Sequence, residues 1–167
     1  TGYLEINSKQ QVSTTFSGNL ARRTVGAIVV YKGALTSQQN VVLPGVVQSR
    51  NYTSETSPSM TLNSQPQVGN ILVAAISYTG GPSIVIPPEG WVLDTSIVDS
   101  TRPRVDIYHK VVEAGDSLSI NFFNNGYVST FTLHEFSGVD VNDLVDQIYS
   151  FGSGATSSTS ASIPATA

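Results

Sequence analysis

The sequence predicts an all-β protein, an antiparallel β-sandwich of the jelly-roll-like or Ig-like kind. Three observations support this prediction. Ser, Thr, Asn, Gly and Val are favoured over the residues that fill helices, and charged residues make up only 12 % of the chain. Short apolar or alternating runs bounded by turn residues recur roughly every 10 to 15 positions, the spacing of sandwich strands. No segment has a convincing helical period.

Eleven runs of this kind can be placed along the chain. In order, the predicted strands cover residues 11–16, 25–31, 40–47, 59–63, 70–78, 83–86, 91–98, 104–112, 117–123, 127–136 and 158–163. The run 70–78, NILVAAISY, is apolar on both faces, which predicts a central strand. Residues 141–148, VNDLVDQI, come nearest to a helical pattern, and one helical turn is expected there at most.

Alternation predicts which side chains of two strands share a face. Successive strand residues point to opposite sides, so every second residue belongs to one face. Two sets are each predicted to share one face of their strand: Leu118, Ile120 and Phe122 in one strand, and Val105, Ile107, His109 and Val111 in the other.

Charge and composition exclude several classes of function. The net charge is −4 and the basic residues form no patch, so we expect no nucleic-acid partner. No run of about 18 apolar residues occurs, so we expect no membrane-spanning helix. The chain has no cysteine, and stability is therefore expected to come from packing rather than disulfides. A surface of hydroxyls and amides is common on secreted and surface-displayed sandwiches. We therefore expect the protein to be extracellular, on a cell surface or part of a virion.

Several short motifs resemble those of a β-sandwich repeat that is widespread in bacterial extracellular and phage structural proteins. They are Gly69-Asn70 before ILVAA, Gly90-Trp91, the Y-x-K-x-x-x-x-G-D pattern that starts at Tyr108, and Glu135-Phe-Ser-Gly-Val-Asp140. The resemblance covers roughly residues 59–163. It implies a sandwich fold and an appended structural or binding role in adhesins, tail fibres or polysaccharide-active proteins. It implies no reaction.

The resemblance also gives the N-terminal strand a special place. In such repeats a strand similar to residues 14–33 comes last, whereas here it comes first. Three explanations remain open: the chain closes its own sandwich as a circular permutation, it is a piece of a tandem array, or its N-terminal strand completes a neighbouring subunit by the β-strand addition that pilins use. We expect residues 1–40 to be a strand segment with its linker and residues 41–167 to be the sandwich body.

Strand donation between subunits is the interpretation that we favour, because an unpaired edge strand is a liability. A head-to-tail contact of this kind does not close on itself, so it predicts a homopolymeric fibre. Alternation divides the strand into two faces, one with Val25, Ala27, Val29 and Tyr31 and the other with Gly26, Ile28 and Val30. The residues predicted to carry assembly are Val25, Ala27, Ile28, Val29, Val30 and Tyr31.

The alternative function is a carbohydrate-binding module. Aromatic faces stack on sugar rings, and the candidates for glycan contact are Trp91, Tyr52, Tyr78 and Tyr127. For Trp91 itself we favour a role in the core, since the tryptophan of a sandwich commonly anchors its two sheets. Asn51 begins a sequon that matters only in a source that glycosylates.

Catalysis is not expected from this sequence. The histidines are His109 and His134. The neighbour of His134, Glu135, points to the opposite face of its strand, so the two cannot act as an acid–base pair. No motif of a nucleophilic or metal-dependent hydrolase occurs. A hydrolase would need one of these histidines to find partners across the sheet.

One acidic turn could hold a cation. Asp140, Asn142, Asp143 and Asp146 offer hard oxygen ligands for calcium, but the EF-hand order and its glycine are missing. We favour a solvated turn whose side chains bond nearby backbone amides, and otherwise expect no cofactor.

Overall fold

A computed structural model of the chain describes residues 12–17, 24–31, 45–53, 59–78, 85–98, 104–123, 129–153 and 158–163. These residues form strands and connecting turns and no helix, so the predicted all-β class is confirmed. The strands are β1 (Val12–Ser17), β2 (Thr24–Tyr31), β3 (Gly45–Thr53), β4 (Ser59–Thr61), β5 (Ile71–Tyr78), β6 (Val92–Val98), β7 (Arg104–Val111), β8 (Ser119–Asn121), β9 (Ser129–Ser137), β10 (Val145–Ser153) and β11 (Ser158–Ile163).

The centre of the fold is a five-stranded antiparallel sheet with the strand order β3-β9-β5-β7-β6. β5 lies in the middle of this order, as its two apolar faces predict. Ile71 in β5 pairs with Val111 of β7 on one side and with Phe136 of β9 on the other. Both faces of the central strand therefore need a covering layer.

The first face carries the larger core. Leu72, Ile76 and Phe131 project from the sheet and are at most 1 % exposed. The short ladder of β4 and β8 covers them with Met60 and Ile120. Burying a side chain of this size stabilises the fold by about 1.5–3 kcal/mol. Leu118, Ile120 and Phe122 all join this core, so their predicted shared face is confirmed.

The second face carries a smaller core, which the ladder of β2 and β10 covers. Ile71, Val73 and Ile107 are buried in it, and Val105 and Val111 pack against it. From the covering layer, Val29 and Tyr31 of β2 pack onto this core, together with Leu144 just before β10. The two layers and the central sheet form an antiparallel sandwich.

The first and last strands that the structure describes are paired with each other. β1 and β11 form an antiparallel ladder from Val12↔Ile163 to Ser17↔Ser158. The predicted strand at 158–163 is therefore confirmed, and β1 and β2, the strands described within the segment 1–40, pair with β11 and β10.

Three predicted elements differ from the structure. Where we expected at most one helical turn, within 141–148, a turn leads into the extended strand β10. The predicted strand 40–47 overlaps β3, which continues to Thr53. In the predicted strand 83–86, Ile86 makes an isolated bridge with Phe123. Pairing with β2 overrides the local pattern of 141–148, because a strand ladder depends on residues far away in sequence.

Within the described ranges, no helix is long and apolar enough to cross a membrane.

Candidate assembly site and other polar sites

β2 contacts the second face through alternate residues, as a covering strand should. Val29 and Tyr31 are partly buried against that face. For Val25, Ala27, Ile28 and Val30, the structure describes the backbone and its pairing with β10. β2 thus covers the second face in the structure of the single chain.

A buried polar contact links β2 to the central sheet. The Tyr31 hydroxyl donates to Asp94 Oδ2 over 2.6 Å, and Asp94 Oδ1 lies 2.6 Å from His109 Nδ1. The Asp94 and His109 side chains are 3 % and 11 % exposed, and the rings of Tyr31 and His109 meet edge to face at 6.4 Å. One carboxylate therefore joins three elements, β2, β6 and β7.

The position of Asp94 depends on an irregularity in β6. In the β6–β7 ladder, Leu93 pairs with Tyr108 and Thr95 pairs with Ile107, so Asp94 is the extra residue of a bulge. Bulges redirect side chains and are common beside functional sites. Here the bulge accompanies a carboxylate that turns toward the second face.

The protonation chemistry of Tyr31 reflects this contact. Burial raises the pKa of Tyr31 far above its ordinary value, and the charge of Asp94 and the hydrogen bond to it add to the effect. The hydroxyl donates to the carboxylate and not to the imidazole of His109. In a nucleophile–base pair, the hydroxyl donates its hydrogen bond to the imidazole. Here the carboxylate of Asp94 lies between the hydroxyl and the imidazole, an arrangement that links strands and does not activate a nucleophile.

The second histidine also lies on the second face. Val73 of β5 pairs with His109 on one side and with His134 on the other. The His134 ring packs 5.9 Å from that of Phe136, and burial lowers the pKa of His134. The two histidines thus lie on the same face of the central sheet, on either side of Val73.

Trp91 occupies a position between core and surface. Its ring meets Phe122 edge to face at 5.0 Å and packs against the first core, in agreement with the role we favoured. It also lines a cleft of about 260 Å³, together with the apolar residues Leu72, Pro88 and Ile120. The polar residues of this cleft are Glu89, Lys110, Asp116, Ser117, Ser119 and Asn121.

The tyrosines proposed for glycan contact do not gather around Trp91. Tyr52, 38 % exposed, lies on β3 at the opposite edge of the central sheet and lines a different cleft with Arg50. Tyr78 is 2 % exposed and donates to the buried Asp106 over 3.0 Å. Tyr127 lies outside the described residues. Asn51, which begins the sequon, is exposed beside Tyr52 on β3.

The acidic turn forms local hydrogen bonds. Asp140 Oδ1 accepts from the Asn142 amide over 3.0 Å, and the Asp140 carbonyl lies 3.4 Å from the Asp143 amide. In the part of the chain that the structure describes, no group of three or more His, Cys, Asp or Glu side chains is placed to hold a metal ion. The side chain of Asp146, on β10, lies outside that part.

Sequence reasoning also missed the buried carboxylate of Glu135. Glu135 of β9 is 0 % exposed. Its Oε1 accepts from Asn70 Nδ2 over 2.6 Å and from the Gln67 amide over 2.9 Å, and its Oε2 accepts from Gln48 Nε2 over 2.5 Å. Gln48 Oε1 in turn accepts from the amides of Asn63 and Ser64. This network fixes the segment 62–70 between β4 and β5.

The motif residues that carry the family resemblance lie in structural contacts and turns. Asn70 and Glu135 belong to the buried network, and Lys110 Nζ lies 3.3 Å from Asp116 Oδ1. Gly90, before Trp91, has a φ of +83°, a conformation that favours glycine. These motif positions have structural roles, and none of them gathers into a catalytic group.

Comparison of the chain with protein-family models, with curated proteins and with solved structures finds no match. The conclusions on function therefore depend on the geometry described above.

Proposed function

We propose that the chain is a non-catalytic structural subunit of an extracellular fibre, adhesin or phage-type appendage that polymerises by exchange of β2. The observation that carries this proposal is the second core, in which an N-terminal strand covers an apolar face built from β5 and β7. Without β2, the surface around Ile71, Val73 and Ile107 would lose part of its cover, which costs free energy in proportion to the exposed apolar area.

Exchange of β2 between copies would conserve these contacts. A β2 from a second copy offers the same backbone groups to β10 and the same Val29 and Tyr31 to the second face. The contacts within one chain and between chains are then chemically identical, which makes exchange a low-cost route to assembly. Residues 32–44 join β2 to β3, and an extended segment of this length reaches about 40 Å, enough for a neighbour.

The geometry of donation favours a polymer over a closed dimer. In strand addition, main-chain hydrogen bonds give affinity and alternate side chains give specificity. Each copy would give its own β2 and accept another, so its two contacts use different surfaces. Such heterologous contacts propagate into filaments unless a rotation closes a ring.

Cysteine cross-linking tests this proposal directly. The sequence has no cysteine, so every disulfide must form between introduced cysteines. Ala27 pairs with Ser150 across the β2–β10 ladder, and paired residues of antiparallel strands lie within disulfide reach. We would unfold, mix and refold an Ala27→Cys chain and a Ser150→Cys chain. Exchange predicts a disulfide between the two chains and regular filaments in negative-stain images.

The matched control replaces the Ser150→Cys chain by a Ser59→Cys chain. Ser59 is exposed and belongs to β4, in the ladder that covers the first face of the central sheet. It should cross-link to the Ala27→Cys chain only at the background level. A chain that carries both Ala27→Cys and Ser150→Cys, closes its disulfide internally and remains a monomer by light scattering would refute polymerisation by exchange.

The cleft beside Trp91 supports a second candidate, a carbohydrate-binding module. Sugar sites combine an aromatic face with hydroxyl, amide and carboxylate partners, and this cleft has Trp91 beside Glu89, Asp116 and Asn121. The chain has one tryptophan, so its fluorescence reports on this cleft alone. Titration with soluble polysaccharides should shift or quench that emission, and an unchanged spectrum at millimolar sugar would remove this candidate.

A further inference from the structure

The sequence of β2 leaves its register weakly defined. The strand reads TVGAIVVY, and simple alternation along this sequence assigns apolar residue types to both faces: Val25, Ala27 and Val29 to one, and Ile28 and Val30 to the other. A strand with two apolar faces can slip by one or two residues and still offer apolar side chains to the core. The register therefore needs a polar contact that tolerates no displacement.

Tyr31 makes such a contact. A slip of one residue would turn its hydroxyl to the other face of β2, and a slip of two would move it by about 6.6 Å along the strand. Either displacement breaks a hydrogen bond of 2.6 Å and leaves Asp94, whose side chain is 3 % exposed, without one of its donors. A buried carboxylate that loses a donor is costly.

The acceptor exists independently of β2. Asp94 and His109 lie on β6 and β7, which pair directly with each other, and the bulge that turns Asp94 belongs to their ladder. The two side chains are thus held in place by the central sheet before β2 is added. A preorganised acceptor of this kind loses little entropy when its partner arrives.

We propose that the Asp94–His109 pair is the recognition site that fixes the register of β2, and that in the polymer it receives Tyr31 from a second copy of this chain. The first part holds for a strand from either source, and the second part rests on the proposed function. Tyr31 is accordingly a positioning residue. Val29 contributes apolar burial and does not determine the register.

Cross-linking measures the register itself. Cysteines at Ala27 and Ser150 report the native register, whereas cysteines at Val25 and Ser150 meet only when β2 has slipped by two residues. The ratio of native to slipped disulfide, formed slowly in a redox buffer, is compared between the parent and its Tyr31→Phe variant. We expect Tyr31→Phe to lower this ratio at least tenfold, which corresponds to about 1.4 kcal/mol.

Two further variants make the test specific. Asp94→Asn removes the charge of the acceptor and should lower the ratio in the same direction. Val29→Ala removes apolar contact while Tyr31 stays, so it should weaken the ladder and leave the ratio unchanged. An unchanged ratio in Tyr31→Phe, or an equal loss in Val29→Ala, would overturn the proposed recognition site.

The same samples separate this proposal from polymerisation. Gel analysis shows whether each disulfide lies within one chain or between two chains. One outcome is that disulfides form only within chains while Tyr31→Phe still lowers the ratio of native to slipped disulfide. This outcome would refute exchange and support the recognition site. A double-mutant cycle of Tyr31→Phe with Asp94→Asn in urea unfolding gives a second measurement, and a coupling below twofold would count against the link.

Discussion

Replacement of Glu135 by Ala should be among the most destabilising single changes in this protein. The substitution removes the acceptor of Gln48 Nε2, Asn70 Nδ2 and the Gln67 amide in a site that is 0 % exposed. Gln48 Nε2 keeps the Ser64 carbonyl at 3.0 Å. A buried donor without a partner costs about 1–3 kcal/mol, so two such donors and the small cavity together predict a loss of about 3–5 kcal/mol.

Glu135→Gln is the more conservative test of the same network. The amide keeps one acceptor oxygen but presents its NH₂ group to Gln48 Nε2, which is also a donor. Gln48 cannot simply turn over, since its own oxygen accepts from the amides of Asn63 and Ser64. We expect a loss of about 1.5–3 kcal/mol. Adding Gln48→Glu restores a carboxylate facing these donors and should recover part of the stability.

Urea unfolding followed by far-UV circular dichroism measures these differences. The denaturant midpoint should fall while the m value is retained, because the surface exposed on unfolding changes little. Glu113→Ala, in an exposed turn, is the matched control and should remain within about 0.5 kcal/mol of the parent. A Glu135→Ala chain that loses less than about 1 kcal/mol would show that the network does not hold the segment 62–70.

Three further expectations concern pH and backbone conformation. Burial raises the pKa of Tyr108 to about 12 and raises that of Tyr31 beyond the usual range. The contribution of these two tyrosines to the free energy of unfolding is therefore complete below pH 10 and is lost as the pH rises above it. Absorbance at 295 nm follows the ionisation of the tyrosines. Burial lowers the pKa of His134, so stability falls as pH drops below about 6.5, and His134→Gln should flatten that decline in urea midpoints. Gly90→Ala and Gly115→Ala should each lose about 1–2 kcal/mol in thermal unfolding, since both glycines have positive φ.

The parts of the fold that the sequence predicted are those in which local alternation and the final environment agree. β5 is apolar on both faces and lies at the centre of the sheet, and β7 alternates with Ile107 toward one core and Tyr108 toward the other. The turns between predicted strands also carry a suitable residue type, since Gly90 and Gly115 have positive φ, a conformation that favours glycine. In these places the local pattern was sufficient.

The buried polar contacts could not be predicted in the same way. A carboxylate in a strand normally faces solvent, and nothing local reveals that Asp94 sits on a bulge or that Glu135 meets an amide 65 residues away in Asn70. The signal that existed was a single acid inside an apolar strand, in WVLDTSIV and in TLHEF. β10 was missed because Val141, Leu144, Val145 and Ile148 have helical spacing, whereas the extended conformation of Val145–Ser153 accompanies pairing with the distant β2.

The pairing of β1 with β11 and of β2 with β10 has a mechanical consequence. Val12 pairs with Ile163 at the outer end of one ladder, and Thr24 pairs with Ser153 at the outer end of the next. Tension applied to the two ends therefore peels both ladders apart one residue pair at a time, which needs less force than shearing all the pairs together. Peeling reaches the contacts with the five-stranded sheet at Val29 and then at Tyr31, so under tension within one chain the two ladders would open gradually and the hydroxyl on Asp94 would act as the stop.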